Sequence, residues 1–277
     1  MRVRYSFSSR RTGNIEGHNK HRKKFPEIAR EVISQADIIL EILDSRFWQE
    51  TRNLELENEI LNLRKKLIFV LNKMDLTKTG KLIKELSEKG IYPFVLVSCK
   101  NRKGSKELRA RIKNEARKLE KEQIKVGIIG YPNTGKSSII NILIGKKVSR
   151  VASESGFTKG MQKVKLSKNI YLIDTPGVIP SFENSNLSSK DLVKHALINV
   201  RTWDKVKEPE MIVHQLMMQY PKEFEKFYNF EAGGDSEFLI EKLGRKKKLL
   251  KKGNVVDSDR TARMILKDFQ EGKIKLN

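Results

Sequence analysis

The sequence predicts an α/β protein: a mostly parallel sheet with helices on both faces, followed by a small all-α domain. Short apolar, β-branched runs alternate with amphipathic helical patterns from residue 26 to about residue 145, the rhythm of a parallel sheet. One of those runs passes through a glycine-bounded loop directly into a helix. From Ser189 onward the pattern is helical throughout. The expected division is a flexible basic arm over residues 1–24, an α/β domain over 25–188, and a helical, basic, RNA-binding domain over 189–277.

The arm carries eight Arg or Lys and a single acid, Glu16, with Gly13 and Gly17 interrupting any regular element. Pro26 opens an amphipathic helix. Asp37–Asp44 is a near-continuous apolar run, which reads as a parallel strand buried on both faces. A helix follows from Leu54, then a strand at Leu67–Leu71, a helix over Thr77–Lys89 and a strand at Pro93–Val97. Gly104–Gln123 reads as one long basic helix leading to the strand Val126–Ile129. Two short strands are expected at Gln162–Leu166 and Ile170–Ile173. The helical remainder includes Arg245–Lys252, with six positive charges in eight positions, and a last helix to Gln270 capped by Asp257 or Ser258.

The 277 residues include 57 Lys plus Arg against 34 Asp plus Glu, a formal charge of +23. Such a surplus favours a polyanionic partner, with RNA as the expected one. The longest apolar runs, such as Leu67–Leu71, are far too short to span a bilayer. Met1–Arg11 is basic but lacks the apolar core of a secretory signal. A single cysteine, Cys99, excludes an intramolecular disulfide and a cysteine-built zinc site. The cytoplasm is the expected compartment.

Gly130-Tyr-Pro-Asn-Thr-Gly-Lys-Ser137 is a phosphate-binding loop in its required strand-to-helix setting. Gly130 permits the sharp exit from the strand, and Gly135 lets backbone N–H groups turn inward around phosphate oxygens. The loop spanning Asn133, Thr134, Gly135 and Ser138 meets a helix whose positive dipole end faces the phosphates. Lys136 is placed to reach the β- and γ-phosphates and the Ser137 hydroxyl to bind Mg²⁺. The bland alternative is a glycine turn before a buried helix.

Asn72-Lys73-Met74-Asp75 names the base. The Asp75 carboxylate can accept from guanine N1–H and the exocyclic amine, a pair adenine does not offer. Asn72 would brace the purine edge, and the aliphatic stem of Lys73 would lie over the ring. Ser98-Cys99-Lys100 would present a backbone N–H to guanine O6. Asp174-Thr-Pro-Gly177 would give an outer Mg²⁺ contact from Asp174 and a γ-phosphate contact from the Gly177 N–H. Thr158 is the candidate switch threonine that completes the Mg²⁺ shell, against a reading as a surface loop residue. The ligands expected are therefore GTP or GDP and Mg²⁺.

In ordinary small GTPases the phosphate loop precedes the base motifs. Here the order is Asn72–Asp75, Ser98–Lys100, phosphate loop, Thr158, Asp174–Gly177. These motifs in this order resemble the circularly permuted GTPases of the YlqF/RbgA family, as do Gly17-His18, Asp37-Ile-Ile and Asp44-Ser-Arg46. The resemblance implies a circularly permuted P-loop GTPase that binds pre-ribosomal particles and assists maturation of the large ribosomal subunit, acting as a monomer off the ribosome.

Val178 occupies the position where small GTPases often place the glutamine that orients the attacking water. The resemblance points instead to a histidine of the N-terminal arm. Gly17-His18 matches it locally, whereas counting back without gaps from Asp37 favours His21. Asn133, by its place in the phosphate loop, is a candidate K⁺ ligand; otherwise it is an asparagine suited to an unusual backbone angle. Two other readings stay open: an RNA-binding scaffold that holds GTP with negligible turnover, and a GTPase acting on another RNA such as tRNA. A membrane-surface GTPase fits less well, because the C-terminal basic run has no tryptophan anchor.

Overall fold

The computed structural model describes residues 25–145, 162–174, 194–195, 198 and 202–276. Helix α1 (Phe25–Gln35) is followed by β1 (Ile38–Asp44), α2 (Leu54–Asn62), β2 (Lys66–Asn72), α3 (Thr79–Glu88), β3 (Phe94–Leu96) and α4 (Ser105–Arg117). The phosphate-loop unit is β4 (Ile124–Ile129) and α5 (Lys136–Ile144), and β5 (Gln162–Lys165) and β6 (Ile170–Asp174) complete the sheet. The C-terminal elements are α6 (Pro209–Gln219), α7 (Pro221–Tyr228), α8 (Ser236–Lys246), β7 (Leu250–Lys251), β8 (Val255–Val256) and α9 (Ser258–Gln270).

The six strands lie in the order β3-β2-β1-β4-β6-β5, all neighbours parallel except β5 and β6. All seven residues of β1 are buried, which is why its sequence is apolar rather than alternating. Helices α4 and α5 cover one face through Leu108, Ile112, Ile139, Ile140 and Leu143. Helices α1 and α2 cover the other through Ala29, Ile33, Leu56 and Ile60, with α3 adding Leu82 and Leu86 beside Leu43 and Leu71. Each Leu or Ile among these, withdrawn fully from water, contributes ~1.5–3 kcal/mol before entropy is counted. The end of α1 is closed by Lys65, whose ammonium donates to the carbonyls of Ile33, Ser34 and Ala36 at 2.6, 2.5 and 2.7 Å.

Two expectations are corrected. The basic helix α4 stops at Arg117 rather than Gln123: Leu119 N–H donates to Ala116 O and Glu120 has φ +48°, so the chain turns before β4. The C-terminal segment is helical except for the β7–β8 hairpin, so it is not wholly α. Gly253 (φ +84°) and Asn254 (φ +58°) form its tip. Asp257 is the cap of α9, accepting from Arg260 N–H. Helices α6–α9 form a separate core around Leu216, Phe224, Leu239, Ile265 and Phe269, which also takes in Phe47 and Tyr131 from the α/β part.

Candidate functional site

The strand order reverses direction of build between β1 and β4, and ligands of open α/β sheets bind beyond the carboxyl ends of the strands at such a switch. The residues found there are Asp44 at the end of β1, Asn72 at the end of β2, the phosphate loop after β4 and Asp174 at the end of β6. The register pairs Asp174 with Ile128, two residues before Gly130.

The loop backbone explains its glycines. Gly130 has φ +144°, and a Cβ there would lie 2.5 Å from Ile42 O; Gly135 has φ +102°, and a Cβ there would lie 2.2 Å from Asn72 Nδ2. Asn133 takes the left-handed region at φ +60°, the conformation to which asparagine is suited. Thr134 is fully buried, its hydroxyl donating to Tyr131 O at 2.9 Å. Lys136 Nζ donates to Gly130 O at 3.0 Å and Tyr131 O at 2.7 Å, so the ammonium lies inside the loop. Lys136 opens α5, and Ser137 and Ser138 complete its first turn with their N–H groups at the positive end. The donor set fits a nucleotide phosphate chain: the Lys136 ammonium is held inside the loop, and the first N–H groups of α5 lie at the positive end of the helix.

Asn72 ties three loops together. Its Nδ2 donates to Thr134 O at 2.9 Å, and its Oδ1 accepts from Cys99 N–H at 3.3 Å. Ser98 donates its hydroxyl to Asp75 Oδ1 at 2.5 Å and accepts from Asn101 N–H at 3.1 Å, which orients the carboxylate. Burial, helped by the Asp75 charge, pushes the Cys99 thiol up to about 12. Lys100 is exposed beside them. Asn72 thus joins the Ser98–Lys100 loop, through Cys99, to the phosphate loop at Thr134, and Ser98 ties Asp75 to the same cluster. Thr158, Gly177, Val178, His18 and His21 lie outside the described residues.

Two groups at this site were named in the sequence only as part of a pattern, with no role given to their side chains. Asp44 and Arg46 form a buried ion pair at 2.9 Å, and the same carboxylate holds Lys73 Nζ at 2.7 Å. Burial pushes the Asp44 carboxyl upward, but the Arg46 and Lys73 charges outweigh it and hold the group well below the usual carboxylate range. For Lys73 the balance goes the other way: burial, joined by the Arg46 charge, lowers its pKa against the raising effect of Asp44. Tyr131, in the second position of the phosphate loop, is fully buried against the C-terminal helices, with Lys194 Nζ at 3.3 Å from its hydroxyl.

A phosphate loop after the central strand, with the Asn-Lys-x-Asp turn on a strand that precedes it in sequence, defines a circularly permuted P-loop fold of the GTP-binding kind. Residues 125–231 match the family described as 50S ribosome-binding GTPase. The chain is 39% identical over 259 residues to the uncharacterized GTP-binding protein MJ1464 of Methanocaldococcus jannaschii, covering 91% of this chain and 67% of that protein. It is 36% identical over 250 residues to nucleolar GTP-binding protein 2 of Saccharomyces cerevisiae, covering 88% of this chain and 50% of the relative. Among solved structures it resembles GNP-bound YlqF from T. maritima, with TM-score 0.65, 22% identity, and coverage of 91% and 95% of the two chains. The chain belongs to the family of the M. jannaschii GTP-binding protein and has the circularly permuted fold of YlqF. It spans about half the length of the yeast relative and two thirds of the archaeal one. Among the described residues no helix is long and apolar enough to cross a membrane.

Proposed function

We propose that this protein binds and hydrolyses GTP and, in its GTP state, binds the large ribosomal subunit or its precursor through ribosomal RNA to assist assembly. The observation that carries the nucleotide reading is Asn72, which bonds both the phosphate loop and the Ser98–Lys100 loop and so locks base and phosphate halves into one site. The match of residues 125–231 to a 50S ribosome-binding GTPase family and the charge of +23 support the ribosomal partner.

In this reading Asp75 reads guanine, Lys73 covers the ring, Lys136 meets the β- and γ-phosphates, and the Gly177 N–H senses the γ-phosphate. Ser137 and Thr158 would hold Mg²⁺, with Asp174 outside them; the ion would neutralise phosphate charge. Asn133 would hold a K⁺. His18, with His21 as the alternative, would orient water in place of the absent glutamine, so hydrolysis is slow alone and stimulated by the particle. The arm (1–24), G domain (25–188) and basic helical domain (189–277) divide the work, and the protein is a monomer off the ribosome. The compartment is the cytoplasm in a cell without a nucleolus; the yeast relative is named nucleolar.

Co-sedimentation with large-subunit particles under GTP, GDP and a non-hydrolysable analogue, with phosphate release followed in the same samples, tests this. Pelleting favoured by GTP or the analogue, with release accelerated by particles, is the expected result. Nucleotide-independent pelleting and unchanged release would overturn it.

A further inference from the structure

The Lys73 side chain is anchored by a group that no step of guanine recognition requires. Asp44 Oδ2 accepts from Lys73 Nζ at 2.7 Å and from Arg46 Nη2 at 2.9 Å, while Oδ1 accepts from Arg46 Nε at 3.1 Å. The Arg46 side chain is fully buried, and its remaining Nη1 donates to Phe269 O at 3.3 Å, in the last turn of α9. Its guanidinium lies 5.2 Å from the Phe47 ring centroid and 5.9 Å from that of Phe269. A cation at the carboxyl end of a helix is favoured by the helix dipole, and a guanidinium can bond a carboxylate and a third acceptor at once. Lys73 itself sits in the left-handed region at φ +64°, where an unbranched side chain gains nothing, so its surroundings impose the conformation. A second contact joins the same elements. Gly272, just beyond α9, lies so close to the turn after Asp75 that a Cβ there would be 2.6 Å from Leu76 Cδ1.

We propose that Asp44 and Arg46 are positioning residues that couple guanine-base recognition to the seating of α9. Asp44 fixes the Lys73 ammonium, which aims its stem across the purine face. Arg46 bonds that same carboxylate and the α9 carbonyl, so a shift at either end disturbs the other. A nucleotide that pins Lys73 therefore tightens α9, and loss of α9 contact loosens Lys73. This inference rests on the reading of Asn72–Asp75 as the base site, and it extends that reading to the C-terminal helices.

The test uses the intact chain and fluorescent GDP. Asp44→Asn is expected to weaken GDP binding at least tenfold, but less than threefold when made on a Lys73→Met background, where no ammonium remains to be anchored. Hydrogen exchange of the wild type should show slower exchange over residues 262–272 with GDP than without. Equal effects of Asp44→Asn on both backgrounds, or exchange indifferent to GDP, would overturn the coupling. If Asp44→Asn does not fold, the wild-type exchange decides. Equal wild-type affinity for GDP and ADP would remove the base-site reading itself, and with it this inference.

Discussion

Replacing Asn72 by alanine probes the joint between the two halves of the site. The residue is 3% exposed, and its side chain makes two bonds, to Thr134 O at 2.9 Å and from Cys99 N–H at 3.3 Å. Truncation strands a carbonyl that is completely buried and an amide that is partly so. A stranded buried group costs roughly 1–3 kcal/mol. The Cys99 bond is long and contributes at the low end, so the expected loss is about 2–4 kcal/mol. For a chain of this size 1 kcal/mol moves the midpoint by roughly 2–4 °C, so the variant should melt about 5–15 °C lower. Asn72→Asp is the informative companion: its carboxylate can still accept from Cys99 N–H but turns a negative oxygen toward Thr134 O, so it should be no better than alanine. Thermal unfolding with and without saturating GDP measures both consequences, because the stabilisation by a bound ligand depends on its affinity. The GDP-induced rise should shrink with the variants. A fall of less than 2 °C together with an unchanged GDP-induced rise would refute the joint.

Two further outcomes follow from charged side chains, one buried and one at a helix end. Glu41 is fully buried, accepts from Asn53 N–H at 2.8 Å, and leaves its other oxygen without a hydrogen-bond partner among the described residues. Burial and the neighbouring Glu57 carboxylate raise its pKa well above the ordinary value, so its stabilising contribution is complete below that ordinary value and is lost as pH rises through the elevated one. Relative to Glu41→Gln, wild-type melting temperature should fall between pH 5 and pH 9; a constant gap between the two curves would contradict this. Lys65→Met removes the ammonium that closes α1 on three carbonyls, with an expected loss of about 2 kcal/mol by urea unfolding, and a change below ~0.5 kcal/mol would show that water replaces it fully.

The sheet was legible because its central strands are buried on both faces. Ile38–Leu43 cannot be read as an amphipathic helix, and each such run ends at a polar residue with a job, Asp44 or Asn72. The end of α4 was not legible, since Lys118–Gln123 is as charged as the helix before it and carries no glycine or proline to mark the turn. The β7–β8 hairpin was hidden by Arg245–Lys252, a run that suits an exposed helix equally well; Gly253-Asn254 between Leu250 and Val255 was the available signal. In the site, the phosphate loop and the Asn72–Asp75 turn are contiguous and carry their geometry in their spacing. The bonds from Asp44 to Lys73 and from Arg46 to Phe269 join residues 29 and 223 positions apart, and no local pattern encodes such a meeting.

The strand order also has a consequence in time. Strands β1, β2 and β3 are consecutive in the chain and adjacent in the sheet, so they are joined by short-range pairings, whereas β4 must return to the far side of β1. Short-range pairings close with little loss of chain entropy and domains are released from synthesis amino end first. The half that carries Asn72, Asp75 and Ser98 can thus be assembled while the phosphate half is still being translated. In this arrangement the Asn72–Ser98 half is complete in the chain before the phosphate loop is made, and the two halves are joined only once β4 has docked beside β1.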